Sequence, residues 1–511
     1  MPIATSTPEG VRRPERVAPV ALSALASLGA LSHRGADVLV RGVAMDSARV
    51  RAGDLFAAVP GRTGHGARFA ADALSRGAVA VLTDAAGRDL LTAGVPLLLA
   101  ADVRAALGPL SASVYGHPSS AMAVLGITGT SGKTTTAYFV RAGLHAAGWP
   151  SGLVGTVATL IGDEVVRTGF TTPEAPDVQA LLAVMREHGT KAVAMEVSSH
   201  ALAMGRADGI EFAVGAFTNL SQEHLDFHRD MDDYFAAKAR LFDGRARAAV
   251  VVVDDDAGRR MAAIAGQAGA NVITVGTTGA VAATWQAHDI ATAADGSTTF
   301  RAVGPGVELR AGCAVPGRYN VANALLALAI LQTAGVPPEL AAAAVAAASV
   351  PGRMERIEAG QPFLAVVDYS HKPAAIEGAL RALRPLTPGR LIVVLGCGGD
   401  RDRAKRPLMG EIAARGAQLL VVTDDNPRSE DPAGIRRAML AGAAAVPPDQ
   451  RAEVREIGER GAAIAAAAAA AEPGDTVLVA GKGHEAGQEI AGVVHAFDDR
   501  DVLRAALQAL S

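Results

Sequence analysis

The chain has 511 residues, 50% of them hydrophobic and 20% charged, with a formal net charge of -4. That balance excludes a disordered polymer and, with no concentrated basic patch, an obvious nucleic-acid partner; the length calls for several domains, three as the working number. Cys313 and Cys397 lie far apart and outside any CxxC, which excludes a disulfide framework or a thiolate zinc site and points to a reducing cytoplasm.

In chain order, MPIATSTPEG reads as a floppy leader, with residues 1–18 expected to be disordered. Arg12, Arg13 and Arg16 precede VAPVALSALASLGAL, the charge-then-apolar order of a secretory signal. Ser23, Ser27 and Gly29 dilute the run, so a short amphipathic helix is the plainer reading. Residues 1–119 then mix short strands (ADVLVRG, GDLFAAV, GAVAVLT) with a helical GARFAADALSRG, which predicts a small α/β domain.

Over residues 120–349, short apolar strands rich in β-branched residues alternate with helices: MAVLGIT, AVAMEV, FAVGAFTN, AAVVVVD and NVITVG. This pattern predicts a parallel sheet. Over residues 350–511, FLAVVDYS, RLIVVLGC, AQLLVVTD and DTVLVAG predict a second doubly wound, Rossmann-like sheet. The alanine run Ala462–Ala471 stops at Pro473-Gly474 as a soluble helix does, and no apolar run has the roughly 18 to 20 residues needed to span a bilayer. The fold class expected is therefore α/β in three domains. Ligands of such sheets gather beyond the carboxyl ends of the strands.

One such end is TGTSGKTTT, Thr128 to Thr136, between a strand and a helix. Glycines at 129 and 132 allow backbone N–H groups of Thr130, Ser131 and their neighbours to turn toward phosphate. Lys133 supplies a charge, Thr134 a hydroxyl suited to Mg²⁺, and Thr135 a further hydroxyl. The loop is a shorter G-x-x-G-K-T variant of the usual phosphate loop, since Ile127 stands where a glycine would begin the longer spelling. ATP binding is the reading.

GTSGKTT, MEVSSHAL (Met195–Leu202) and TNLSQEHLDFH (Thr218–His228) together resemble the Mur ligases, bacterial enzymes that add amino acids to UDP-MurNAc during peptidoglycan synthesis. Folylpolyglutamate synthases share parts of this layout. The resemblance implies a UDP-binding N-terminal domain, a central ATPase domain and a C-terminal amino-acid domain, with ATP as co-substrate and two Mg²⁺ ions. It places Thr134 and Glu196 on one ion, and Glu196, His224 and Lys238 at the second, with Lys238 carbamylated to N6-carboxylysine. Taken alone, Lys238 is a solvated helix lysine and His224 a loop histidine.

The resemblance also assigns Asn320, Asn323, Arg353, Asp368 and His371 to the ATP side, although Lys372 and Ala374 replace a usual Thr and Asp. Ser47, Thr171, Thr172, Ser198 and Arg206 are assigned to the UDP-MurNAc-dipeptide, while Met204 stands where a glutamine is common. Three C-terminal stretches, GCGGDRDRAKRP, DDNPR and GKGHE, look like the branch of the family that adds meso-diaminopimelate. They offer Arg401, Asp425, Asn426, Pro427, Arg428, Gly481 and Glu485 as its binding residues. A guanidinium suits the extra carboxylate that distinguishes diaminopimelate from lysine. The expected activity is ATP-dependent ligation of meso-diaminopimelate to the D-glutamate of UDP-N-acetylmuramoyl-L-Ala-D-Glu through an acyl phosphate, by a cytoplasmic monomer. An L-lysine-adding ligase, a folate glutamylating enzyme and a phosphate-loop kinase or regulatory ATPase are the alternatives.

Overall fold

The computed structural model describes residues 12–510 apart from 30, 62, 63, 167, 280 and 294. Three large sheets follow one another along the chain, beside two two-stranded ribbons, Val20–Ala21 with Leu39–Val40 and Gly487–Ile490 with Val493–Ala496. The first has five strands in the order Leu31–Arg34, Leu97–Ala100, Ala80–Thr83, Asp54–Ala57, Gly42–Ala44, with only Leu31–Arg34 antiparallel. VAPVALSALASLGAL becomes the two-residue strand Val20–Ala21 and the five-residue helix Leu22–Ala26, whose Leu22 and Leu25 are buried in this core. Disorder to residue 18 does not hold for the described part. Arg13 pairs with the buried Asp54 at 2.6 Å, and the backbone N–H of Arg16 donates to Glu187 at 2.8 Å. The leader itself, residues 1–11, lies outside the described residues.

The central sheet has eleven strands. Seven run parallel, from Ser151–Val154 through Ala192–Glu196, Ala123–Thr128, Phe212–Phe217, Ala246–Val252 and Asn271–Gly276 to Trp285–Thr292. The five strands expected from sequence all lie in this parallel part, and the sheet is extended at both margins by antiparallel strands: Thr159–Ile161 and Glu164–Val166 on one side, Thr298–Gly304 and Val307–Cys313 on the other. The difference is visible in burial. The parallel strands from Ser151–Val154 to Ala246–Val252 are buried almost throughout, whereas Thr298–Gly304 alternates buried with half-buried residues and Val307–Arg310 half-buried with exposed ones, as strands with one less covered face do.

The C-terminal sheet orders Glu355–Arg356, Leu364–Asp368, Thr476–Ala480, Leu391–Leu395, Leu419–Val422, Glu453–Glu456, parallel except at the first. Its four inner strands are the four expected from sequence, and the two outer ones are short and polar. The helix Tyr319–Thr333 is apolar almost all round and buries its whole length from Val321 to Leu331 but for a half-buried Ala322 against the central sheet. That core continues through Val350 and Met354 into the C-terminal sheet. Among the described residues no helix is long and apolar enough to cross a membrane.

Candidate active site

The strand Ala123–Thr128 sits in the middle of the central sheet and delivers the phosphate loop to the start of the helix Lys133–Ala146. Gly129 (φ 144°) and Gly132 (φ 87°) both have positive φ, and a Cβ would strike Thr218 Oγ1 at the first and Asn323 Oδ1 at the second. Only glycine satisfies both constraints. The neighbouring loop then locks the turn: Thr218 Oγ1 donates to Ser131 O at 2.6 Å, Asn219 Oδ1 accepts from Ser131 N at 3.1 Å, and Thr130 N donates to Asn219 O at 2.9 Å. Lys133 Nζ folds back on the carbonyls of Gly129 and Thr130, both at 2.9 Å. Burial lowers its pKa, Glu196 opposes that shift, and Arg353 adds to it. Thr135 is buried behind the loop. Asn323 Nδ2 donates to Asn320 Oδ1 at 2.8 Å and Asn320 Nδ2 to Pro316 O at 2.8 Å, so this pair braces the loop from the rear.

Glu196 ends the adjacent strand, 1% exposed. Its carboxylate accepts from Thr134 Oγ1 at 3.0 Å, Thr156 N at 2.8 Å and Thr156 Oγ1 at 3.1 Å, and Arg353 reaches Thr134 Oγ1 at 3.4 Å. A carboxylate and a hydroxyl beside a phosphate loop fit a Mg²⁺ ion, which keeps waters and takes its remaining oxygens from substrate. The second set is not assembled. Among the described residues no three His, Cys, Asp or Glu side chains form a metal-sized group. His224 has a backbone φ of 57° and packs edge-on against His200, 4.6 Å between rings. Burial, then the neighbouring His200 and two lysines, pull its pKa to about 4.

Lys238 is not solvated, as its helix position alone predicted: it is 1% exposed, donates to Gly129 O at 2.8 Å and lies over the Tyr234 ring. Burial, reinforced by Lys133, holds its pKa well below the usual lysine range. As a buried amine it is no ligand for a hard cation, but the neutral form is the one that adds CO₂.

On the substrate side, Thr171 Oγ1 meets Thr156 Oγ1 at 2.9 Å, and Thr172 Oγ1 donates to Glu196 O at 2.9 Å and accepts from Ser198 N at 3.2 Å. Arg206 reaches Thr172 O at 3.3 Å while paired with Glu174 at 2.8 Å. These four residues therefore gather around Glu196. Ser47 stands apart in the N-terminal domain, its hydroxyl on Asp72, at the start of a turn whose Arg49 pairs with Asp177 of the central domain at 3.0 Å.

The C-terminal loops converge as well. Asn426 Nδ2 donates to Glu485 Oε2 at 2.8 Å, and its Oδ1 accepts from Glu489 N and from Lys482 Nζ, both at 3.0 Å. The amide is thus engaged within the loops. Asp425 is 6% exposed, yet its Oδ1 has no hydrogen-bond partner; the nearest cation, Lys482 Nζ, is 3.7 Å away. Gly481 (φ 118°) leaves room for the other oxygen of that carboxylate. Arg428, with φ 52° just after Pro427, donates to Gly399 O at 2.7 Å and lies 3.3 Å from Glu489. Arg401 is exposed and donates to Asp400 O; its Cγ and Arg428 Nη1 flank Gly398.

Asp368 pins the domain junction by accepting from Met354 N at 2.7 Å. Next to it the Tyr369 ring packs between His371 (4.5 Å) and His484 (4.8 Å), with Arg353 over its face. Lys372, the next residue after His371, pairs with Glu223 of the central domain. Sequence reasoning missed Thr156, Lys482, Glu223 and Arg460. Lys482 and Glu223 carried a signal, being the lysine inside GKGHE and the glutamate inside TNLSQEHLDFH; the others are contacts that only tertiary structure makes.

Burial lowers the pKa of His371 to about 4 and of His484 to about 3, with Lys405 next for His371 and Arg353 next for His484. The unfolded chain protonates these rings from about pH 6.5 downward while the folded chain resists to about pH 4 and below, so their stabilisation is present above pH 6.5 and drains away as pH falls. The melting temperature is expected to drop between pH 6.5 and 4, and less steeply in a His371→Gln/His484→Gln variant. Parallel melting curves check this, and equal slopes would contradict it.

A phosphate loop facing a buried carboxylate, joined to a Rossmann-like C-terminal domain, suits an ATP-dependent ligase, and the chain belongs to the Mur ligase family. Family models match as the Mur ligase family, catalytic domain, over residues 39–115, the Mur ligase middle domain over 127–331, and the Mur ligase, glutamate ligase domain over 352–483. The chain is 52% identical to the UDP-N-acetylmuramoyl-L-alanyl-D-glutamate--2,6-diaminopimelate ligase of Streptomyces avermitilis, with 98% of each chain covered. It is 50% identical to the like-named protein of Corynebacterium glutamicum, with 94% of each covered. A solved structure of a ligase of the same name superposes with a TM-score of 0.67 at 32% identity, over 92% of this chain and 95% of that one.

Proposed function

We propose that this chain ligates meso-diaminopimelate to the D-glutamyl residue of UDP-N-acetylmuramoyl-L-Ala-D-Glu, driven by ATP, in cytoplasmic peptidoglycan precursor synthesis and hence in cell-wall growth, cell shape and division. The observation that carries the reading is the DDNPR loop. It offers a buried, unpartnered carboxylate oxygen on Asp425 and, three residues on, the Arg428 guanidinium, so an ammonium and a carboxylate of one ligand are received together. Relatives at 50 to 53% identity with the corresponding name support it.

The backbone of Gly129–Thr135 would cradle the phosphates, and Lys133 would leave its two carbonyls to follow the transferring phosphoryl group. Mg²⁺, held by Thr134 and Glu196, would offset phosphate charge; a second ion would require Lys238 as its carbamate, with His224. Thr171, Thr172, Ser198 and Arg206 surround Glu196 and would hold the dipeptide so that the γ-carboxylate of its D-glutamyl residue meets the phosphoryl group. The resulting acyl phosphate would then be attacked by the amine of the L-centre of diaminopimelate, whose far end Asp425, Asn426, Gly481 and Glu485 would hold, with Arg428 and Arg401 facing its carboxylates. Phosphate leaves as the amide forms. Arg353, spanning Thr134 and Tyr369, and Asp368 keep the C-terminal domain over the loop, limiting hydrolysis by water.

The test is to offer purified protein the nucleotide dipeptide, ATP and either meso-diaminopimelate or L-lysine, and to read product masses. Diaminopimelate alone should be incorporated. Comparable use of lysine, or phosphate release with no change in nucleotide mass, would sink the reading. In the same assay Arg428→Ala should raise the KM for diaminopimelate roughly 10- to 100-fold, the worth of a charge-assisted bidentate contact, and leave that for ATP within about twofold.

A further inference from the structure

The loop Thr218–His228 carries a carboxylate that the chemistry above does not use. Thr218, Asn219 and Ser221 lace this loop to the phosphate loop, Thr130 Oγ1 accepting from Ser221 N at 3.0 Å, so Glu223 is set at a fixed place beside it. The Glu223 side chain is only 7% exposed, and it is met from the opposite domain by Lys372, the residue preceding the helix Pro373–Leu383.

Around that pair further cations gather. Lys133 and Lys405 both act on Lys372 as like charges, and Arg353 acts likewise on Lys133. Lys405 is fixed there by donating to His371 O at 2.9 Å. Four cations from two domains, Lys372 among them, thus converge on the seam, where Glu223 also meets His224 Nε2 at 3.3 Å and Glu196 faces Lys133. Like charges gathered in a partly desolvated seam favour a polyanion as their occupant. Burial, then Lys133 and Lys405, also pull the Lys372 pKa to about 7, a shift that a phosphate group would reverse.

We propose that Lys372 is a phosphate-binding residue contributed by the C-terminal domain, with Glu223 and the terminal phosphate of a nucleoside triphosphate competing for its ammonium. The inference rests on the ligase reading and deepens it, because the domain that selects the amino acid then also senses the state of the nucleotide. Glu223 sets the threshold: it keeps the lysine near the loop but makes a diphosphate, which lacks the outer group, a poor competitor.

Titration calorimetry with Mg²⁺ present, using ADP and a non-hydrolysable ATP analogue, tests this on the full chain and on Lys372→Met, Lys372→Arg and Glu223→Gln. Lys372→Met should weaken the triphosphate analogue about tenfold, the scale of one charge-assisted contact, and ADP by less than about twofold. Lys372→Arg should restore most of the loss, and Glu223→Gln should tighten the analogue. An equal loss for both nucleotides, or weaker analogue binding by Glu223→Gln, would overturn the assignment and leave the pair a domain-packing contact. Product formation separates the two readings: a wild-type protein that makes the ligated product while Lys372→Met binds the analogue normally sinks this inference alone, and one that makes none sinks the ligase reading.

Discussion

Lys133→Met is expected to lower kcat about a hundred- to thousand-fold while leaving the KM for diaminopimelate nearly unchanged. The ammonium is the one charged donor built into the phosphate loop itself, and burial there makes each contact to developing charge worth more than it would be in water. The substitution should not dismantle the loop. Of the two carbonyls that Lys133 holds, that of Gly129 is also bonded by Lys238 at 2.8 Å, and the loop keeps its links to Thr218 and Asn219. Single-turnover release of ADP from the variant, alongside its melting temperature, separates chemistry from folding. A kcat within about threefold of wild type would remove Lys133 from the transferring phosphate.

Arg460→Met is expected to destabilise the C-terminal domain by about 3 to 5 kcal/mol, the usual consequence of stranding one partner of a buried ion pair. Arg460 and Asp499 have fully buried side chains and share two bonds of 2.7 Å. The guanidinium also donates to Asp424 O at 3.3 Å and Ala480 O at 3.0 Å, the roots of the DDNPR and GKGHE loops. Its removal leaves a buried carboxylate and two carbonyls without a donor, only partly compensated because Asp499 opens the helix Asp499–Gln508. The double variant Arg460→Met/Asp499→Leu should recover part of the loss. Urea unfolding of the three proteins gives the comparison, and a single variant within about 1 kcal/mol of wild type would show that the pair contributes little.

What could be read from the sequence was whatever local chemistry specifies. Runs such as RLIVVLGC and AAVVVVD are buried on both faces and so announce themselves, and all four inner C-terminal strands lie where such runs fall. Strands less covered on one face, such as Thr298–Gly304 and Val307–Cys313, carry apolar signals too weak for periodicity to single out. The phosphate loop was legible because its glycines, lysine and threonines lie within one turn. Burial was not: Lys238 looks solvated on its helix and is enclosed only because Tyr234 and the Gly129 carbonyl arrive from elsewhere. The Arg460–Asp499 pair joins residues 39 apart, and Lys372–Glu223 joins two domains; no spacing rule reaches such pairs.

Four residues of the cleft, His224, Met354, Asp400 and Arg428, adopt left-handed backbone without being glycine. Each such residue sacrifices roughly 1 to 2 kcal/mol that a glycine would recover. A search for heat-tolerant variants would therefore be drawn to these positions, and at 428, on the proposed function, it would exchange thermal resilience for blindness to the second acid group of diaminopimelate. On that function, the backbone strain at Arg428 is what keeping a guanidinium at this turn costs the fold.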